Sequence, residues 1–193
     1  MQDVLIYIHG FLSSPQSVKS QQTVKYINEH YPNLLFEAPQ VPNYPDQAIA
    51  LLEDIVSAHQ GKKLGFIGSS MGGFMATYLV EKYGGKAVLI NPAVKPFELL
   101  IDYLGDHVNP YTGMKFTLSP THIDQLKALD SPIIHNPRNY WALLQTGDET
   151  LDYRQAQKRY ANSKLTIEEG GDHSFTGYPD YLADIFTFLF DKT

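Results

Sequence analysis

A chain of 193 residues with 43% hydrophobic and 19% charged residues can bury one substantial core and has an ordinary globular composition, which argues against disorder and against a membrane class. Its formal charge of -6, with 15 Lys and Arg scattered along the chain, offers no cation cluster for a phosphate backbone, so nucleic acid is not an expected partner. The lack of cysteine removes disulfides, thiol catalysis and thiolate metal sites.

Met1 to Gly10 has neither the basic region nor the long apolar stretch of a secretory signal, and no later segment reaches membrane-spanning length. A cytoplasmic protein with no membrane span is therefore expected. In chain order, short apolar runs predict strands at Val4–His9, Leu34–Ala38, Leu64–Gly68, Ala87–Ile90, Trp141–Thr146 and Lys164–Glu168. Most are apolar almost throughout, as strands covered on both faces should be. Between them, Ile49, Leu52, Ile55 and Val56 recur with helical spacing, as do Met71, Phe74, Met75, Tyr78 and Leu79, then Tyr153, Ala156 and Tyr160, and last Leu182, Ile185, Phe186 and Leu189. Alternating strands and helices predict an α/β fold with a mostly parallel, doubly wound sheet of about six strands, in a single domain over 1–193.

From Asn91 to Asn139 the chain is far longer than one crossover helix needs, which predicts a small cap insertion at about 94–139. Phe97, Leu100, Ile101 and Leu104 follow helical spacing within it. Ser119-Pro120 reads as the cap and first position of a second helix carrying Ile123, Leu126 and Leu129. The piece Gly105–Phe116 between them reads as a loop.

Gly68-Ser69-Ser70-Met71-Gly72 fits the G-x-S-x-G nucleophile elbow, with an apolar strand before it and an amphipathic helix after it. The flanking strand and helix give the short pattern its weight, and they point to Ser70 as nucleophile. His9-Gly10-Phe11 follows the first strand, which a doubly wound sheet sets beside the third. The N–H groups of Phe11 and Met71 are thereby candidates for an oxyanion hole, with Leu12 as the alternative to Phe11. His9 itself reads as a loop-fixing histidine. Among the seven histidines, His173 follows the last strand in a glycine-rich loop and is the candidate base. The acid is expected after the preceding strand, where Asp148 is the first choice and Glu149 and Asp152 compete, giving the order Ser, Asp, His. No close H-E-x-x-H spacing suggests a metal, and the acyl-transfer chemistry needs no cofactor.

These residues resemble the YqiA-type esterases of bacteria, within the α/β-hydrolase superfamily. The resemblance rests on Ile8-His9-Gly10-Phe11, Gly68 to Gly73, Asn91-Pro92-Ala93, Asn109-Pro110-Tyr111-Thr112-Gly113, Thr146 to Glu149 with Leu151 to Ala156, and Glu169 to His173. It implies an α/β-hydrolase fold, a Ser70–Asp148–His173 triad and hydrolysis of small acyl esters, with acyl-CoA thioesters as further candidate substrates. Asn91 ends the strand after which some hydrolases carry their acid, and an amide cannot supply that charge. Leu12, Phe97 and Tyr111 are candidate substrate contacts, although core packing is the plainer reading of the cap aromatics. An amidase, peptidase or lactonase would use the same triad, and a non-catalytic ligand-binding protein on this fold is the alternative from another class. Oligomeric state is left open.

Overall fold

The computed structural model describes residues 2–190; the outermost ends of the expected 1–193 domain, Met1 and 191–193, lie outside the described residues. Strands β1 (Val4–Ile8), β2 (Leu35–Glu37), β3 (Leu64–Ser69), β4 (Lys86–Ile90), β7 (Tyr140–Gln145) and β8 (Lys164–Glu168) form one sheet in the order β2-β1-β3-β4-β7-β8. Every neighbouring pair is parallel. The chain first winds outward to β2, returns past β1 to β3, and winds the other way to β8. The change of direction therefore falls between the carboxyl ends of β1 and β3, where a doubly wound sheet opens a crevice.

Residues alternate between two cores along each central strand. Val4, Ile6 and Ile8 join the core built with α2 (Pro45–Ala58), α3 (Met71–Tyr83) and α6 (Tyr153–Arg159). Leu5 and Tyr7 join the opposite one, with α1 (Val18–His30) and α7 (Leu182–Phe190). Covering both faces explains why β1, β3 and β7 are buried at every position. In α7 the stripe Leu182, Ile185, Phe186 and Leu189 is buried as its spacing predicts. No described helix is long and apolar enough to cross a membrane.

The segment expected to be an insertion departs from the sequence reading in its middle. Gly105–Phe116 is not a loop throughout: β5 (Gly105–Val108) and β6 (Lys115–Leu118) pair antiparallel. Phe116 and Leu118 point into the core while Lys115 and Thr117 face out, a period-2 pattern too short to stand out in the sequence. Before this hairpin, the expected helix over Phe97–Leu104 is only α4 (Pro96–Leu99) with a 3₁₀ turn at Leu100–Tyr103. Leu100 is buried, whereas Ile101 and Leu104 are exposed. The second helix forms as expected: α5 (Pro120–Ala128) has Ser119 in a capping box with His122 and buries Ile123 and Leu126.

Helix α3 lies against β1 so closely that a Cβ on Gly72 would fall on the Ile8 carbonyl, and one on Gly68 would fall on the Gly72 carbonyl. Gly72→Ala should cost about 3 kcal/mol, the upper end for overpacking. The urea-unfolding midpoint measures it, and an unchanged midpoint would contradict this close approach.

Candidate active site

At the end of β3 the backbone turns into α3 at Ser70, which has φ 55 and ψ -118. This is a left-handed region that a side-chain-bearing residue enters only under constraint. The Ser70 N–H donates to the Ile90 carbonyl at 3.0 Å, and its carbonyl accepts from Ala93 N–H at 3.0 Å and Gly73 N–H at 2.9 Å. The loop after β1 abuts it from the other side: a Cβ on Gly10 would lie 3.2 Å from the Ser70 Cβ.

The loop after β8 brings His173 to the same point. Its Nε2 lies 3.1 Å from Ser70 Oγ, and its Nδ1 lies 2.9 and 2.8 Å from the two Asp148 carboxylate oxygens. An Nδ1–H tautomer lets Nδ1 donate to Asp148 and leaves Nε2 free to accept from the serine hydroxyl. The Asp148 side chain is 2% exposed. Burial pushes its carboxyl up, but hydrogen bonds from His173 and from the Leu151 and Thr150 N–H groups outweigh that and hold it below its ordinary value. The two competing acids lie elsewhere in the arrangement. Glu149 accepts the His173 backbone N–H at 2.9 Å, and Asp152 caps α6 by accepting from Arg154 N–H at 3.0 Å.

Two buried amides hold the histidine loop, and neither was assigned this part from sequence. Asn91 Nδ2 donates to the Asp172 and His173 carbonyls at 3.0 and 3.2 Å while its Oδ1 accepts from Gln145 N–H. Gln145 Oε1 accepts from the Asp172 and Thr176 N–H groups at 3.1 and 2.9 Å, and its Nε2 donates to the Thr176 carbonyl and to Glu168. Their bond partners lie across the sheet edge, so no local pattern announces them.

The family model described as Uncharacterised protein family (UPF0227) matches residues 4–190. The chain belongs to this family. The same fold occurs in solved structures of low sequence identity. A protein from Agrobacterium vitis S4 superposes with a TM-score of 0.75 at 16% identity, covering 98% of this chain and 88% of that one. Alpha/beta hydrolase domain-containing protein 10 from mouse gives 0.65 at 15% identity, over 94% and 87%. A monoacylglycerol lipase from Paleococcus ferrophilus gives 0.68 at 12%, over 96% and 94%. The fold is that of the α/β hydrolases.

In this UPF0227 member one space is lined by Ser70 and a second by its neighbour Met71. A cleft of about 430 Å³ is lined by Ser70 and His173 together with Phe11, Tyr111, Lys19 and the 174–179 segment. A narrow apolar pocket, with about 30 Å³ of room, lies beyond Phe11 and Met71 among Leu12, Val41, Met75, Leu100, Leu118 and Leu126. Of the sequence-derived substrate candidates, Tyr111 lines the cleft and Leu12 the apolar pocket, whereas Phe97 packs against the core and lines neither space.

His9 is 4% exposed, and its Nε2 accepts from Val41 N–H at 2.9 Å, tying the β1 loop to the segment after β2. Burial holds its pKa below the ordinary value, against the opposing pull of the Gly10 carbonyl. The unfolded chain binds this proton more readily, so stability falls as pH drops from about 6.5 toward the depressed native value. The thermal midpoint should decline across this interval in wild type and less steeply in His9→Gln; parallel profiles would assign the acid sensitivity to other groups.

Proposed function

We propose that this protein is a serine hydrolase of carboxylic esters, acting through a Ser70–His173–Asp148 triad. The observation that carries this reading is the continuous hydrogen-bonded chain from Ser70 Oγ through His173 to the buried Asp148 carboxylate. The presence of a lipase among the proteins sharing the fold is consistent with it.

His173 Nε2 takes the Ser70 proton as Oγ attacks the substrate carbonyl, and the resulting imidazolium is stabilised by Asp148. The tetrahedral oxyanion forms beside the Phe11 and Met71 N–H groups. Met71 opens α3, where the N–H is not used by the helix. Among the described residues, neither group donates a backbone hydrogen bond in the turns and loops. Such preorganised donors are worth about 2.7–4 kcal/mol each in the transition state. Collapse expels the alcohol, protonated by His173, and leaves an acyl group on Ser70. His173 then activates water to release the acid.

The apolar pocket past Phe11 and Met71 takes the acyl side. It admits a short acyl group as it stands, and a longer chain has to displace Met71 and Met75, whose flexible thioether side chains yield readily. Oxygen esters and acyl-CoA thioesters both present the carbonyl this chemistry requires.

Purified wild type should hydrolyse p-nitrophenyl esters of short acids. Ser70→Ala should remove at least about 10⁴-fold of kcat, and Asp148→Asn about 10⁴-fold, because an amide favours the wrong imidazole tautomer. Steady-state release of p-nitrophenol measures both, and equal rates in wild type and Ser70→Ala would overturn the assignment of the nucleophile.

A further inference from the structure

The cleft that holds Ser70 and His173 has a charge the hydrolytic steps do not use. Lys19, in the first turn of α1, lines it, and among the described lining residues there is no Asp, Glu or Arg. The Lys19 Nζ donates to the Ser174 carbonyl at 2.8 Å, one residue past His173. An ammonium has three N–H donors. Among the described residues, no carboxylate lies within 4.0 Å of this one, and the Ser174 carbonyl is its hydrogen-bond partner.

Lys19 is also half-buried, and its desolvation lowers its pKa against the more distant negative charges of Asp172 and Asp148. A partly desolvated cation with no carboxylate in contact and two unengaged donors is poised to gain from an arriving anion.

Position decides which part of a substrate reaches it. The departing group must lie on the His173 side of the carbonyl, because His173 Nε2 gives it the proton. On the serine-hydrolase reading the acyl side is assigned to the apolar pocket lined by Phe11 and Met71. Building on the serine-hydrolase reading, we propose that the preferred substrates are esters or thioesters whose leaving group bears an anion, carboxylate or phosphate, and that Lys19 is the residue that selects it. The uncharged acyl group and the charged leaving group are thereby sorted to opposite sides of Ser70.

The test uses three acetyl esters with related phenol leaving groups: 3-hydroxybenzoate, its neutral methyl ester, and 3-hydroxyphenyl phosphate. The quantity read is the ratio of kcat/KM for each anionic ester to that for the neutral one. Comparing this ratio between variants cancels the intrinsic reactivity of the esters. Lys19→Gln keeps an N–H donor for Ser174 but removes the charge, and should lower the ratio at least tenfold. Lys19→Arg should keep most of it. Whichever anionic ester loses more of this ratio from wild type to Lys19→Gln identifies a carboxylate or a phosphate preference. If Lys19→Gln slows charged and neutral esters alike, Lys19 is a tether and the proposal fails. Binding of 3-hydroxybenzoate itself, followed by ligand-observed NMR, gives a readout independent of turnover. It should weaken at least tenfold in Lys19→Gln, while binding of methyl 3-hydroxybenzoate should not follow it. Should wild type hydrolyse none of the esters faster than Ser70→Ala, the hydrolase reading fails, while NMR still decides whether Lys19 holds an anion.

Discussion

The turn from β3 into α3 holds Ser70 at φ 55 and ψ -118, a conformation that costs about 1–3 kcal/mol in an unconstrained chain. Here the surroundings leave little alternative. The Ser70 N–H is bonded to β4 and its carbonyl receives N–H groups from both α3 and the segment after β4. Missing side chains at Gly68 and Gly72 allow helix, turn and β1 to meet at backbone distance. Relaxing the serine would break these bonds and separate α3 from the sheet, so the strain is maintained by the packing of the central strands. The hydroxyl is left standing at the crevice where the winding of the sheet reverses.

His173 reaches the same spot by different means. Its loop has positive φ at Gly170 and Gly171 before the histidine and at Phe175 and Gly177 after it, and a Cβ on Gly171 would strike the Gln145 amide that supports the loop. Asn91 at the end of β4 and Gln145 at the end of β7 are almost fully buried, and both spend donors and acceptors on that loop. The imidazole is aimed by these uncharged amides and by Glu149 on its backbone, while Asp148 alone of the nearby carboxylates faces the ring. An uncharged residue at Asn91 suits this arrangement, since a carboxylate there would set negative oxygen against the two carbonyls its amide now serves.

Much of the fold was legible because the central strands are buried on both faces and read as apolar runs, as in Val4–Ile8 and in 140–144 of β7. The β3–α3 turn at Ser70 was legible because so sharp a strand-to-helix turn demands glycines at fixed offsets, and the places of Asp148 and His173 after β7 and β8 followed from the order of the strands. Less legible elements lacked such a local signal. In α1 the buried residues are Ser20, Thr23 and Ile27, so no apolar stripe marks the helix; Thr23 Oγ1 is instead within 2.7 Å of Tyr178 Oη across the chain. The β5–β6 hairpin has four residues a side, too few for alternation to declare itself. Asn91, Gln145 and Lys19 act through bonds to distant segments, which no window along the sequence contains.

Phe11 joins two parts of the molecule that a list of elements would keep apart. It follows Gly10, which abuts Ser70, and its ring makes edge-on contacts with Tyr103, His107 and Phe116, at 6.3, 6.2 and 6.0 Å between centroids. Those three rings belong to the segment between β4 and β7, and His107 and Phe116 stack on each other within the hairpin. Aromatic pairs of this kind contribute about 0.5–1.5 kcal/mol apiece. The segment between β4 and β7 consequently works as a buttress for the β1 loop: swinging it outward would strip three contacts from one ring and loosen the loop that abuts the serine.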